Sequence, residues 1–243
     1  MKGFISAIQF LTSIPIGTKR PIDESKLPQA MIYFPLIGLF LGLILAAANN
    51  ILSLTTLGQF PISAILVVLL IILTGGLHLD GLADTFDAFL SGKGRSDMLA
   101  IMRDSRIGTM GALSLISVIL IKVSLISSLD PEIMNISLIL MCALSRYFLV
   151  FSIFFFPYAR EGGKAKPFFD GINLKIFSLT TLMGLFFCAI FFDIKGLMIF
   201  VITALLLFLV NRIIANKIGG LTGDTLGAIN ELCEICILIV VLI

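Results

Sequence analysis

Charge is what this sequence has least of. Aspartate, glutamate, lysine and arginine make up 13% of its 243 residues, against 58% hydrophobic residues. The mean hydropathy of +1.12 lies far above that of a soluble domain, so a membrane-embedded chain is implied. A net charge of only +2 gives no basis for a nucleic-acid surface. Long polar segments are missing too: no polar gap exceeds about 30 residues, so a soluble domain behind a signal peptide or tail anchor is not expected. The apolar runs lack the alternation of a membrane barrel, which leaves helices as the only element able to satisfy a backbone buried in lipid. There is one histidine, His78, and there are four cysteines. Cys142, Cys188, Cys233 and Cys236 all sit in or beside apolar segments, as buried thiols do, and do not suggest a disulfide framework. Cys233 and Cys236 have the spacing of a redox or zinc pair, but a zinc site needs further ligands nearby and the single histidine is far off in sequence. No tandem repeat or low-complexity stretch is evident.

What is present is a succession of apolar runs near 31 to 48, 61 to 77, 108 to 129, 135 to 156, 176 to 192, 197 to 211 and 229 to 243. Several reach the roughly 20 residues that cross a bilayer, predicting an all-α, polytopic bundle of about seven transmembrane helices within one domain, 1–243. Glycine and proline punctuate the joints, among them Pro15, Pro21, Pro28, Pro61, Gly75-Gly76, Gly92, Gly94, Pro131, Pro157, Gly162-Gly163, Pro167 and Gly219-Gly220. Pro35 falls inside the first run, where a kink is tolerated. The cations are distributed with a pattern. Lys2, Lys19, Arg20 and Lys26 precede the first span; Lys93, Arg95, Arg103 and Arg106 follow the second; Arg160, Lys164, Lys166 and Lys175 follow the fourth; Arg212 and Lys217 follow the sixth. The alternate loops carry only Lys195. The positive-inside rule then places the N-terminus and the cation-bearing loops in the cytoplasm of a cell whose inner membrane holds the protein, with the C-terminus outside if seven spans are present.

The scarce charge is gathered in a few places. In "LHLDGLADTFDAF", Asp80, Asp84 and Asp87 stand at i, i+4 and i+7, so a helix projects all three carboxylates from one face, just after His78. Three unscreened anions repel, and a divalent cation relieves them; Mg²⁺ prefers carboxylate oxygen and commonly shares its shell with substrate phosphates. Interleaved Leu79, Leu82, Ala83, Phe86, Phe89 and Leu90 mark the helix as half-buried, although an ordinary solvated acidic loop remains the plainer alternative. Arg103, Asp104, Ser105 and Arg106 follow at the start of the third span. Arginines beside acids suit a phosphate-bearing ligand, while positive-inside flanking explains them equally well on their own. The stretch "KIGGLTGDTLGAINELCEIC" carries Asp224, Asn230, Glu231 and Glu234. Carboxylates near bilayer depth cost roughly 2.5–3.5 kcal/mol each unless they face a polar interior, which makes Glu231 and Glu234 functional candidates; the alternative is that they lie at headgroup level. A glycine-rich turn entering a helix can also cradle phosphate, a weak signal alone. Arg160 and Lys164 sit in "YAREGG-K", and Arg146 lies deep in the fourth span, where an arginine demands a partner. On the predicted topology these sites open to one side and can converge on one cavity, which Arg146 and Lys122 reach from within the membrane.

Taken together, "FLTSIPI" (10 to 16), "YFPLIGLFLG" (33 to 42), "GGLHLDGLADTFDA" (75 to 88), "IMRDSRIGTMGAL" (101 to 113), "YAREGG" (158 to 163) and "GGLTGDTLGAINELCE" (219 to 234) resemble the cobalamin synthase family, the adenosylcobinamide-GDP ribazoletransferases, over nearly the whole chain. Ala88 departs from the glycine that family often has after the aspartate. The resemblance implies a membrane-bound, Mg²⁺-dependent enzyme. The hydroxyl of α-ribazole or its 5'-phosphate attacks the cobinamide-linked phosphorus of adenosylcobinamide-GDP, and GMP leaves. Such chemistry needs metal and positioned cations and little covalent work from the protein. On this reading Asp80, Asp84 and Asp87 are metal ligands, with Asp104 and Asp224 as further candidates. His78 or an aspartate takes the proton, and Arg103, Arg106, Arg160, Lys164, Asp224 and Glu231 meet the substrate. The partners implied are the two substrates and membrane lipid, with no nucleic acid, and a homo-oligomer is compatible. A CDP-alcohol phosphotransferase would need Asp-Gly-x-x-Ala-Arg where Asp80-Gly81-Leu82-Ala83 runs into Asp84. A transporter would not need aspartates on one face, and no inverted repeat is evident.

Overall fold

A computed structural model describes residues 2–15 and 27–243. Ile16, Lys19, Arg20, Pro21 and Lys26, part of the expected basic flank and of the first motif, lie outside the described residues. The helices are α1 (Lys2–Leu11), α2 (Leu27–Ala30), α3 (Phe34–Leu52), α4 (Gln59–Thr74), α5 (Leu77–Phe89), α6 (Arg95–Ile101), α7 (Thr109–Ser127), α8 (Pro131–Phe155), α9 (Lys166–Gly171), α10 (Leu174–Ile218) and α11 (Gly223–Leu242). Among the described residues there is no strand beyond one isolated bridge, Tyr158 to Leu221.

The bundle is an all-α membrane architecture. Five helical segments are long and apolar enough to cross a bilayer, Leu27–Leu52, α7, α8, α10 and α11, or six if α4 and α5, bent by 92° at their break, form one broken span. Counted by length and composition alone, five or six segments do not confirm the expected seven. The separate runs near 176 to 192 and 197 to 211 belong to α10, whose 45 residues would extend roughly 67 Å if straight, about twice a hydrocarbon core. It does not run straight: Asp193 takes φ 50°, ψ −130°. The chain reverses there, so a Cβ on Gly184 would lie 3.1 Å from the Phe200 ring.

The centre of the bundle is α8, whose residues from Ser137 to Ile153 are all buried. Helix α3 lies along it through Gly38 and Gly42; a Cβ on Gly42 would come within 2.5 Å of the Ile139 Cα, and one on Gly38 would strike the Cys142 carbonyl. Glycines four apart let two membrane helices meet backbone to backbone where lipid provides no hydrophobic drive. Pro35 does not kink α3. It sits in the first turn, where its missing N–H costs nothing.

The break after α4 positions the site. Gly75 and Gly76 both adopt left-handed φ, 63° and 70°, which only glycine does cheaply. Their turn frees carbonyls at the end of α4, and Ser13 answers them, its N–H donating to the Leu73 carbonyl at 2.8 Å and its hydroxyl to that of Ile72 at 2.5 Å. Helix α5 thus leaves the direction of α4 and packs against α11 and α7. Cys142, Cys188 and Cys233 are buried free thiols, and Cys236 is a half-buried one. Ala88, in place of the family's glycine, is buried and helical.

Candidate active site

Helices α5 and α11 cross at glycine. A Cβ on Gly81 would lie 2.6 Å from the Asp224 carbonyl oxygen, and one on Gly227 would lie 2.9 Å from that of His78. This close approach sets Asp80 and Asp84 of α5 beside Asp224 of α11. Asp84 is half-buried and feels the negative charge of Asp80, Asp224 and Asp87, with Arg160 opposing them. Such a crowd of carboxylates has the oxygen donors a hard divalent cation takes. Among the described residues, however, no three His, Cys, Asp or Glu side chains stand close enough to hold a metal by themselves. Water and substrate oxygens complete the shell in sites of this kind.

Asp87 points elsewhere. One of its oxygens accepts from the Gly108 N–H at 2.7 Å and the other from the Gly111 N–H at 2.8 Å. It thereby caps the first turn of α7 from another helix, where a negative charge is favoured. Gly108 and Gly111 are small for this reason, since a Cβ at either would strike the carboxylate.

Asp224 is anchored by the opposite wall. The Arg160 Nη2 donates to its Oδ2 at 2.7 Å. Arg160 is brought there by backbone pairing of two loops: Leu221 N–H to the Pro157 carbonyl and Ala159 N–H to the Leu221 carbonyl, both at 2.8 Å. Thr222 begins α11 with a capping box to Thr225, which fixes the turn carrying Asp224. Burial pushes the nearby Tyr158 phenol above its ordinary range.

Two hollows meet at this ion pair. A cavity of about 220 Å³ is lined by the polar side chains of His78, Asp80, Asp224 and Lys164 and by the apolar ones of Phe10, Phe34, Leu149, Ile153 and Phe168, among others. The three phenylalanines pack together with ring centroids 4.7–6.1 Å apart. His78 is buried, and its Nδ1 has no hydrogen-bond partner in the protein. A second, open groove of about 370 Å³ is lined by Arg95, Arg103 and Arg160 with Glu161.

Other expected site residues lie apart from this junction. Asp104 and Arg106 bond to each other, Nη2 to Oδ2 at 2.7 Å, in an exposed loop, and the Arg106 hydrogen bonds hold the Asp104 carboxyl below its usual range. Glu231 is not in the cavity wall. It joins Lys122 in a buried network in which Lys122 also reaches Glu234, and Glu234 binds Arg146. Asn230 adds a bond to Glu234 at 3.1 Å and Ser145 accepts one from Arg146 at 2.8 Å. The deep arginine thus has its partner, and two cations face two carboxylates inside the bundle. Sequence reasoning gave no site role to Arg95 or the three phenylalanines, although Phe10 and Phe34 lie in the "FLTSIPI" and "YFPLIGLFLG" segments and Arg95 among the patterned cations.

The profile of the family described as cobalamin-5-phosphate synthase matches residues 3–242. Curated relatives named adenosylcobinamide-GDP ribazoletransferase include one from Caldanaerobacter subterraneus, 35% identical with 97% of this chain and 95% of the relative covered. One from Fusobacterium nucleatum is 39% identical over 97% and 95%, and one from Escherichia coli 37% identical over 99% of each chain. No solved structure matches.

Proposed function

Because the chain belongs to the cobalamin-5-phosphate synthase family, we propose that it transfers the cobinamide phosphate of adenosylcobinamide-GDP to α-ribazole or its 5'-phosphate and releases GMP. The observation that carries this reading is the meeting of a largely apolar cavity, edged by Asp80 and Asp224, with an arginine groove at one ion pair, Arg160 to Asp224. The rings of Phe10, Phe34 and Phe168 suit the flat base of a ribazole, and Asp80, Asp224 and His78 in the same lining serve the reacting end.

In the transfer, an oxygen–phosphorus bond forms from the ribazole hydroxyl as the bond to the GMP oxygen breaks. His78, which lines the cavity and whose buried Nδ1 has no partner in the protein, takes the hydroxyl proton. Arg160 and Lys164 hold phosphate oxygens at the two sides of the junction. One or two carboxylates drawn from Asp80, Asp84 and Asp224, with water and substrate phosphate oxygens completing the shell, would hold Mg²⁺, which when bound neutralises diphosphate charge. Asp87 keeps the N-terminal end of α7 seated beside them. The protein resides in the cell's inner membrane with this junction facing the cytoplasm, since the segments that build it carry Arg95, Arg103, Arg160 and Lys164.

The test is direct. Purified protein in detergent, given adenosylcobinamide-GDP, α-ribazole and Mg²⁺, releases GMP on chromatography, and given CDP-diacylglycerol and an alcohol releases no CMP. CMP without GMP would overturn the reading in favour of a lipid phosphotransferase.

A further inference from the structure

The arginine groove holds a group whose bonding is incomplete. The Arg160 side chain is only 10% exposed, and its Nη2 is committed to Asp224, yet its Nε is buried with no hydrogen-bond partner. A buried, unpaired donor on a charged fork calls for an acceptor that the protein does not supply. Arg95 faces the same groove from the start of α6. Its guanidinium rests on Gly219, the left-handed residue ending α10, where any Cβ would come within 2.7 Å of Cζ, and its Nη2 lies 3.5 Å from the Ala159 carbonyl. The carbonyl end of α10 favours a cation there. Arg103 closes the groove, so three guanidinium groups face a single carboxylate, Glu161.

We infer that this groove is a diphosphate subsite in which Arg95, Arg103 and the Nε of Arg160 hold the nucleotide end of the substrate, while the cavity across the Arg160–Asp224 pair takes the acceptor. Planar guanidinium forks match paired phosphate oxygens, and the volume of about 370 Å³ falls in the range of small-molecule sites. Arg160 lines the groove and its partner Asp224 lines the cavity, so an anion bound through the Arg160 Nε lies close to the carboxylates of α5 and α11. The nucleotide's identity rests on the proposed reaction; the affinity for a diphosphate does not.

An anionic lipid headgroup offers the same chemistry, and the experiment separates the two. Titration calorimetry with GDP in metal-free buffer, on the full chain in neutral detergent, is expected to register binding that Arg95→Ala and Arg103→Ala each weaken about tenfold. Arg160→Lys keeps a cation for Asp224 but lacks Nε, and weakens it likewise. Lys175→Ala, which removes a cation outside the groove, leaves it unchanged. GDP affinity is expected to be equal in nanodiscs of phosphatidylcholine and of phosphatidylglycerol. Wild-type affinity in both the Arg95 and Arg103 variants, or loss of GDP binding in phosphatidylglycerol, overturns the inference. GDP binding by a protein that releases no GMP keeps the subsite and sinks the reaction, so the two failures read differently.

Discussion

Asp84 and Asp87 lie three residues apart on one helix and meet different neighbours. Asp84 is crowded by other carboxylates, whereas both oxygens of Asp87 are spent on backbone N–H groups of α7. Removing Asp87 leaves two donors at a helix start without partners; removing the charge of Asp84 relieves repulsion. Asp87→Ala is therefore expected to lower the thermal unfolding midpoint in detergent by roughly 5–10 °C, and Asp84→Asn to leave it at or above the wild-type value. Equal midpoints in the two variants would contradict the division of roles. The spacing of Asp80, Asp84 and Asp87 made their shared helical face legible in the sequence, because helical periodicity alone determines it. The neighbour each one meets depends on how α7 and α11 pack. The site roles of Phe10, Phe34 and Phe168 in the cavity, and of Arg95 in the groove, were hidden for the same reason: each hollow is lined by separate segments that meet only after the bundle closes.

At the scale of the helices, α7, α8 and α11 are joined by buried charge. Lys122, Arg146, Glu231 and Glu234 balance, each within reach of an opposite partner in surroundings that screen poorly. Lys122→Met leaves a carboxylate uncompensated and is expected to destabilise the protein by about 3–5 kcal/mol. The double variant Lys122→Met with Glu231→Gln restores neutrality and recovers most of that loss, read as thermal unfolding or as folded yield in detergent. A double variant no better than the single one would show that the charges do not compensate each other. Sequence reasoning identified these residues as too costly to face lipid, yet placed Glu231 with the substrate, because depth along a helix does not reveal which direction a side chain faces across the bundle. The glycine joints between helices were legible as breaks. The reversal at Asp193 was legible only as a gap between two apolar runs.

For the whole molecule, the cation-bearing loops gather at one end. Lys217 donates to the Phe89 carbonyl at 3.1 Å, Arg95 rests on Gly219, and Arg160 reaches Asp224. The opposite end is cation-poor and is tied by amides, Asn49 to Asn135 at 2.9 Å and Asn135 to Asn50 at 2.7 Å. The charge pattern made this polarity readable from the chain, since segregation of lysine and arginine is a property of order along the sequence. If the charged end faces the cytoplasm, a membrane-impermeant maleimide applied to spheroplasts of a Cys236→Ala strain labels Thr55→Cys at once and Glu161→Cys only after permeabilisation. The reverse order would invert the topology.

The central claim is that carboxylates from α5 and α11 serve a phosphoryl transfer between the two hollows. It is tested most directly by measuring GMP release from adenosylcobinamide-GDP and α-ribazole across a Mg²⁺ titration, for the wild-type protein and for Asp84→Asn. The account predicts release that rises with Mg²⁺ in the wild type and falls at least a hundredfold in the variant, as is typical for loss of a group that stabilises the transition state. Equal turnover of the two proteins at every Mg²⁺ concentration would contradict it.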